Sequence, residues 1–313
     1  MAAASRRRLA YLLATSSFYP RTPPYIDSIT YLRLSQNRAS VQGFLCCQRK
    51  ILIMSSSTQR SLASTLDAVQ ELTTLLQQAG QPSKKQWWEC YLKNEIEFYG
   101  TPMADIRSAV KTWISNQDQV STAQLRSLAW SMFRQPIAEQ KLAAILILQH
   151  HILPIQEMDA SRDLPEIAQL FEEGYIYDWN TTDWLCVRVL GKLMEQDDGA
   201  STANLISNWV HSGTTLWQRR AALVSFVNLA PTGLHANLIL ETAAVLVQDS
   251  QLFAQTGVGW ILRSLSDAHP DQVYAFLKEH QKQISVEGMR MAAARLSDSK
   301  RKALGVTGKR KRR

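Results

Sequence analysis

Thr215-Leu216-Trp217-Gln218-Arg219-Arg220-Ala221-Ala222-Leu223 opens one of a series of helices whose regular return decides the fold. Comparable starts stand near Trp179, Leu252 and Ser285, with a companion helix between each pair at 202–211, 235–248 and 271–281. A repeat of roughly 35–40 residues holding two helices is the signature of HEAT-type arrays, in which each unit buries its apolar face only against its neighbours. The predicted architecture is therefore an all-α solenoid of HEAT-like helical repeats with a concave face.

The first half supports that class. Leu62, Leu66, Val69, Leu72, Leu75 and Leu76 form a helical stripe closed by Gly80 and Pro82. Further helices are expected over 84–99 up to Gly100, from Thr101-Pro102 as N-cap and first position, from Ser121, over 137–150, and over 163–173 before Gly174. Alternating β-branched runs and Asn-Gly turns are both missing.

Net charge is +8 across 313 residues, yet the ends carry all of the excess. Residues 1–60 hold nine Lys/Arg against Asp27, and 300–313 hold eight with no acid. The stretch 61–299 has eighteen basic and twenty-six acidic residues, a net −8, so any polyanion must meet a local patch. These shifts divide the chain into a leader at 1–60, a helical domain at 61–299 and a basic tail at 300–313. The leader, with Arg6-Arg7-Arg8 and few acids, resembles an organellar transit peptide; translation from Met54 is the other reading. The tail Lys309-Arg310-Lys311-Arg312-Arg313 fits a nuclear address, a nonspecific phosphate binder, or solvated charge.

No apolar run reaches bilayer length, so the chain is expected to be soluble, with no membrane partner. Cys46, Cys47, Cys90 and Cys186 have neither metal spacing nor a disulfide pattern, which suits a reducing compartment. No metal and no cofactor is expected. His150-His151, at the end of an apolar helix, reads as a partner of the helix dipole.

Three segments carry polar residues where a plain helix would not need them. In Asp178-Trp179-Asn180-Thr181-Thr182-Asp183-Trp184-Leu185-Cys186-Val187-Arg188, the residues Trp179, Asp183, Cys186 and Leu190 share one face, which puts a carboxylate on an aromatic and aliphatic stripe. Arg219 and Arg220 fall inside the arc of Leu216, Leu223, Phe226 and Val227, where an arginine must be paired or open onto a groove. Trp260 is off the aliphatic side marked by Val258, Ile261, Leu262 and Leu265. Gly257 and Gly259 flank it and suit the close approach of a backbone or a bulky ligand.

Together these segments resemble the DNA alkylation-repair glycosylases of the AlkD type, over about 87–296. In that family a Trp and an Asp four residues later line a concave DNA-binding cleft, as Trp179 and Asp183 do in type and spacing. The family's cleft arginine aligns with Arg219, its second cleft Trp with Trp260 in Gly259-Trp260-Ile261-Leu262-Arg263, and its N-terminal signature with Tyr91-Leu92-Lys93-Asn94 through Phe98 and Gly100. This chain departs from the pattern at Asn180, Thr181-Thr182, Thr256 and Ser264.

The resemblance implies hydrolysis of the N-glycosidic bond of N3- or N7-alkylpurines in double-stranded DNA by a monomer, without extrusion of the base into a tight pocket. Asp183 is the catalytic candidate, with Trp179, Trp260 and Tyr91 lining the cleft, core packing being the other reading of all three, and Arg219, Arg220 and Arg263 on DNA phosphates. Two further readings stand beside it: Asp183 as a helix N-cap, and the whole chain as a catalytically silent HEAT-type scaffold binding DNA or a protein. Trp217, Trp184 and Arg188 read as structural, Arg188 paired with an acid on a neighbouring helix.

Overall fold

The computed structural model describes residues 56–196 and 200–306, with side chains from Ser64 onward. The chain divides into two units, Met1–Gln59 and Arg60–Arg313. Residues 1–55 of the expected leader and the basic run 309–313 lie outside the described residues.

Among the described residues there is no strand. The helices in chain order are α1 (Ser56–Gln78), α2 (Pro82–Tyr91), α3 (Met103–Ser115), α4 (Thr122–Phe133), α5 (Ala138–Ile147), α6 (Ala160–Glu172), α7 (Trp179–Leu185), α8 (Ala200–Ser207), α9 (Trp209–Ser212), α10 (Leu216–Val224), α11 (Ala236–Leu246), α12 (Leu252–Leu265), α13 (Pro270–Glu279), α14 (Val286–Ala292) and α15 (Asp298–Ala303). Two of them run on into single π-helical turns, α5 into Leu148–Ile152 and α7 into Cys186–Leu190.

The second unit is an α-solenoid. Helices α5, α7, α10, α12 and α14 form one row, each packed on the next, and the companion helices α6, α8 and α11 lie behind it. The expected recurrence thus begins one unit earlier than the Trp179 segment. Its members start with sequence-readable caps: Asp178, Thr215 and Ser285 each accept a bond from a backbone N–H three residues on.

One continuous hydrophobic core runs through the row, from Val69 to Leu304. Close packing of α12 on α14 depends on two facing glycines, since a Cβ on Gly259 would stand 2.8 Å from the Gly288 carbonyl oxygen. Buried Gln255 joins the same helices: its Oε1 accepts from Ser285 N at 2.7 Å, and its Nε2 donates to the Val247 and Asp249 carbonyls. The backbone approach read from the two glycines of α12 is therefore real at Gly259. Gly257 instead makes room for Arg220, whose Nη1 lies 3.1 Å from where a Cβ would be.

Several element boundaries differ from expectation for local reasons. The helix expected over 84–99 ends at Tyr91, because Lys93 and Asn94 adopt left-handed backbone (φ 56° and 58°). The chain from 98 to 101 is then held by carboxylates: Phe98 N donates to Glu89, and Tyr99 N, Gly100 N and Thr101 N all donate to Glu139 of α5. Gly100 is required at that turn, with φ 84° and the Gln81 carbonyl only 2.3 Å from a hypothetical Cβ. Thr101 is not the cap of α3; its hydroxyl donates to Leu76 O at 2.7 Å, and Pro102 takes the cap position.

His150 and His151 lie in the π turn and not in an α-helical last turn. Helix α6 begins at Ala160, capped by Asp159, while Asp163 is buried and paired with Arg126 and Arg162. Leu66 of the first stripe is exposed, whereas Val69, Leu72 and Leu76 are buried. The basic tail expected from residue 300 begins inside α15, and Leu304 still packs on the core.

Two outcomes follow from this packing. Gly259→Ala should lower the stability in urea by about 1–3 kcal/mol, since its methyl group meets backbone on α14; an unchanged midpoint would contradict the close approach. Cys186 is fully buried and its thiol is pushed up to about 12 by burial, while Cys90 is exposed. In a chain beginning at Met54, a thiol reagent at pH 8 should label Cys90 in the native state and Cys186 only on unfolding.

Candidate nucleic-acid cleft and its buried ion pair

Helix α7 is short and its interior face is polar. Asp178 accepts from Thr181 N at 2.8 Å and caps the helix, so the N-cap role weighed for Asp183 belongs to Asp178. Burial pushes the Asp178 carboxyl up, opposed by that bond and by Lys141 of α5. Lys141 is itself buried, which lowers its ammonium to about 8, and it donates to the carbonyls of Phe133, at 2.8 Å, and Gln135. Asn180, Thr181, Thr182 and Asp183 are all buried, leaving Trp179 and Trp184 as the partly open residues of α7.

One turn after Trp179, Asp183 meets Arg220 of α10. Arg220 Nε donates to Oδ1 and Nη2 to Oδ2, both at 2.9 Å, in a two-pronged fork. Its Nη1 donates to the Phe253 carbonyl at 2.6 Å and to Thr256 Oγ1 at 3.4 Å, both on α12. One guanidinium thereby joins three consecutive helices of the row. Thr256 is one turn before Trp260 on the same face of α12, so the ion pair lies between the two tryptophans along the row.

Arg220 is 1% exposed and Asp183 7%. Arg220, expected on a DNA phosphate, is thus buried and turned onto the Asp183 carboxylate. The arginine aligned with the cleft, Arg219, pairs instead with Asp249 at 2.8 Å and stays partly exposed. Arg263 is half-buried in the last turn of α12.

Trp179 belongs to an aromatic cluster. Tyr91 meets it edge-on at 5.6 Å between ring centroids, Trp87 stacks on Tyr91 at 5.0 Å and 12°, and Trp88 stacks on Phe98 at 5.7 Å. The structure thus brings Tyr91, from the far end of the sequence, against Trp179. Trp87 and Trp88 belong to no motif singled out in the sequence, and Trp87 is 56% exposed. Trp217 packs on Phe253 and the core, as its structural reading expected. Among the described residues Arg188 has no acidic partner; its guanidinium carbon lies 5.0 Å over the Trp184 ring.

Among the described residues no group of three His, Cys, Asp or Glu side chains could hold a metal, and no helix is long and apolar enough to cross a membrane.

The family model described as DNA alkylation repair enzyme matches residues 72–296. The chain belongs to the DNA alkylation repair enzyme family. Among curated proteins none matches it. A solved structure described as a predicted DNA alkylation repair enzyme from Enterococcus faecalis shares the fold, with a TM-score of 0.59 at 18% identity, covering 70% of this chain and 97% of the other. Family membership gives the chain a role in DNA repair and DNA as its partner.

The two arginines should separate cleanly in stability. Arg220→Ala leaves a buried carboxylate without its counterion and should cost about 3–5 kcal/mol. Arg219→Ala breaks a partly exposed pair and should cost no more than about 1 kcal/mol. Equal losses in urea unfolding would show that the Asp183 fork is not the buried member of the two.

Proposed function

We propose that this protein is a DNA glycosylase that hydrolyses the N-glycosidic bond of N3- or N7-alkylated purines in duplex DNA. The observation that carries the reading is the Asp183 carboxylate, fixed by a two-pronged arginine fork one turn after Trp179.

Alkylation leaves the purine with a positive charge, so the electron pair of the breaking bond neutralises the departing base. Positive charge then develops on the deoxyribose, and water adds to its anomeric carbon. A preorganised negative group beside that carbon favours the transition state over the ground state. Asp183 supplies it, and the Arg220 fork keeps it oriented without contacting substrate. The indole faces of Trp179 and Trp260 favour a cationic sugar and exclude bulk water. Tyr91 supports Trp179 through its ring contact. Such chemistry needs no deep pocket for an extruded base.

Arg219 and Arg263 remain the proposed phosphate contacts of the expected set. Arg219 must exchange Asp249 for a phosphate, a swap open to a partly exposed pair. The protein acts as a monomer, and the basic run at 309–313 addresses it to the nucleus.

The test is release of N7- or N3-methylpurine from alkylated duplex DNA. Wild type should release base, and Asp183→Asn should fall by about 100-fold or more while still binding DNA. Thermal unfolding of the variant checks that the loss is chemical. Undiminished release would remove Asp183 from the reaction. DNA binding by the wild type with no release of any alkylated base would move the protein to the alternative reading, a scaffold that binds through the same groove.

A further inference from the structure

Arg220 is committed to a carboxylate within the chain and Arg219 reaches a phosphate only by leaving Asp249, so the acidic stretch 61–299 needs a further hold on a polyanion. Four side chains elsewhere stand in the opposite state. Arg107 of α3, His150 and His151 of the π turn after α5, and Arg188 of the π turn after α7 make no ion pair and no side-chain hydrogen bond among the described residues.

Their placement is regular. His150 is the third residue of the π turn Leu148–Ile152, and Arg188 is the third residue of the π turn Cys186–Leu190. The two turns end neighbouring helices of the row and pack on each other. Single π turns recur at functional sites because the extra residue re-aims side chains out of the helical register. The face of Trp184 braces the Arg188 guanidinium at 5.0 Å.

Arg188 and His150 both sit in the field of Arg107. Burial lowers the Arg188 pKa, and the Arg107 charge lowers it further; His150 is lowered by burial, then by His151, Arg107 and Arg188. Half-buried Arg188 and exposed Arg107 hold like charges with no counterion among the described residues, and a bound anion relieves their repulsion. Arg188 lies five residues beyond Asp183 on one continuous helical segment, about 140° round the helix from it.

We infer that Arg107, His150 and Arg188 form a binding site for a backbone phosphodiester of DNA, braced by Trp184. The inference rests on reading the chain as a DNA-binding repair protein, but not on its being a glycosylase. Arg188, with a planar fork of donors held flat on an indole, supplies the main contact. Arg107 adds a second charge, and His150 a ring N–H.

The experiment is binding of the full chain to an undamaged duplex, followed by fluorescence anisotropy from low to physiological salt. Arg188→Gln should weaken binding about tenfold and reduce the log–log salt slope by about 0.9, the value for one phosphate contact. Arg107→Gln with Arg188→Gln should lower the slope further, and Arg188→Lys should keep it near wild type. Thermal unfolding of Arg188→Gln should be unchanged or raised, because the variant removes an uncompensated charge; a merely structural arginine would lower it. Wild-type affinity and slope in Arg188→Gln overturn the inference, whether or not base release is observed. A second arm adds inorganic phosphate: displacement of DNA only at ionic strengths that chloride matches marks a diester site, while displacement well below them marks a site for free phosphate and overturns it.

Discussion

The fork between Arg220 and Asp183 is the contact around which the centre of this protein is built. Two charges are taken almost wholly out of water, and only their mutual geometry makes that tolerable. Replacing both with apolar groups would be an easier way to stabilise the same helices. The charged pair instead fixes the orientation of one carboxylate between two helices. The third arm of the guanidinium, on the Phe253 carbonyl, extends the constraint to α12, so the distance between α7 and α12 is set by one side chain.

The rest of the cleft is arranged around that pair. Gly257 leaves the space that Arg220 fills, and Gly259 lets α14 close against α12 from the other side. Trp179 is held by Tyr91, which in turn depends on the irregular segment after α2. Glu139 fixes that segment by accepting three backbone N–H groups, which offset the burial that raises its carboxyl. A carboxylate on α5 thus acts as a clamp, joining the N-terminal aromatic cluster to the row of helices.

Much of this was legible in the sequence. Helix starts at Trp179, Leu216, Leu252 and Val286 follow from spacing and caps, and the family resemblance singled out Trp179, Asp183, Trp260 and Tyr91. What misled was local. Lys93 and Asn94 have no sequence mark strong enough to announce left-handed backbone, so α2 was read eight residues too long. Arg219 and Arg220 are adjacent, and a helix turns about 100° between them; a motif that tolerates either residue cannot say which one faces Asp183.

The sequence by itself determined the all-helical class, the repeat period and the residue types of the cleft, because these depend on neighbours within a few turns. Tertiary structure alone decided which charges are used up. Arg219 went to Asp249, Arg220 to Asp183, and Arg188, expected to find an acid, was left on the face of Trp184 beside Arg107 and His150. Pairing of that kind depends on helices one repeat apart, and no spacing rule within a helix reaches so far.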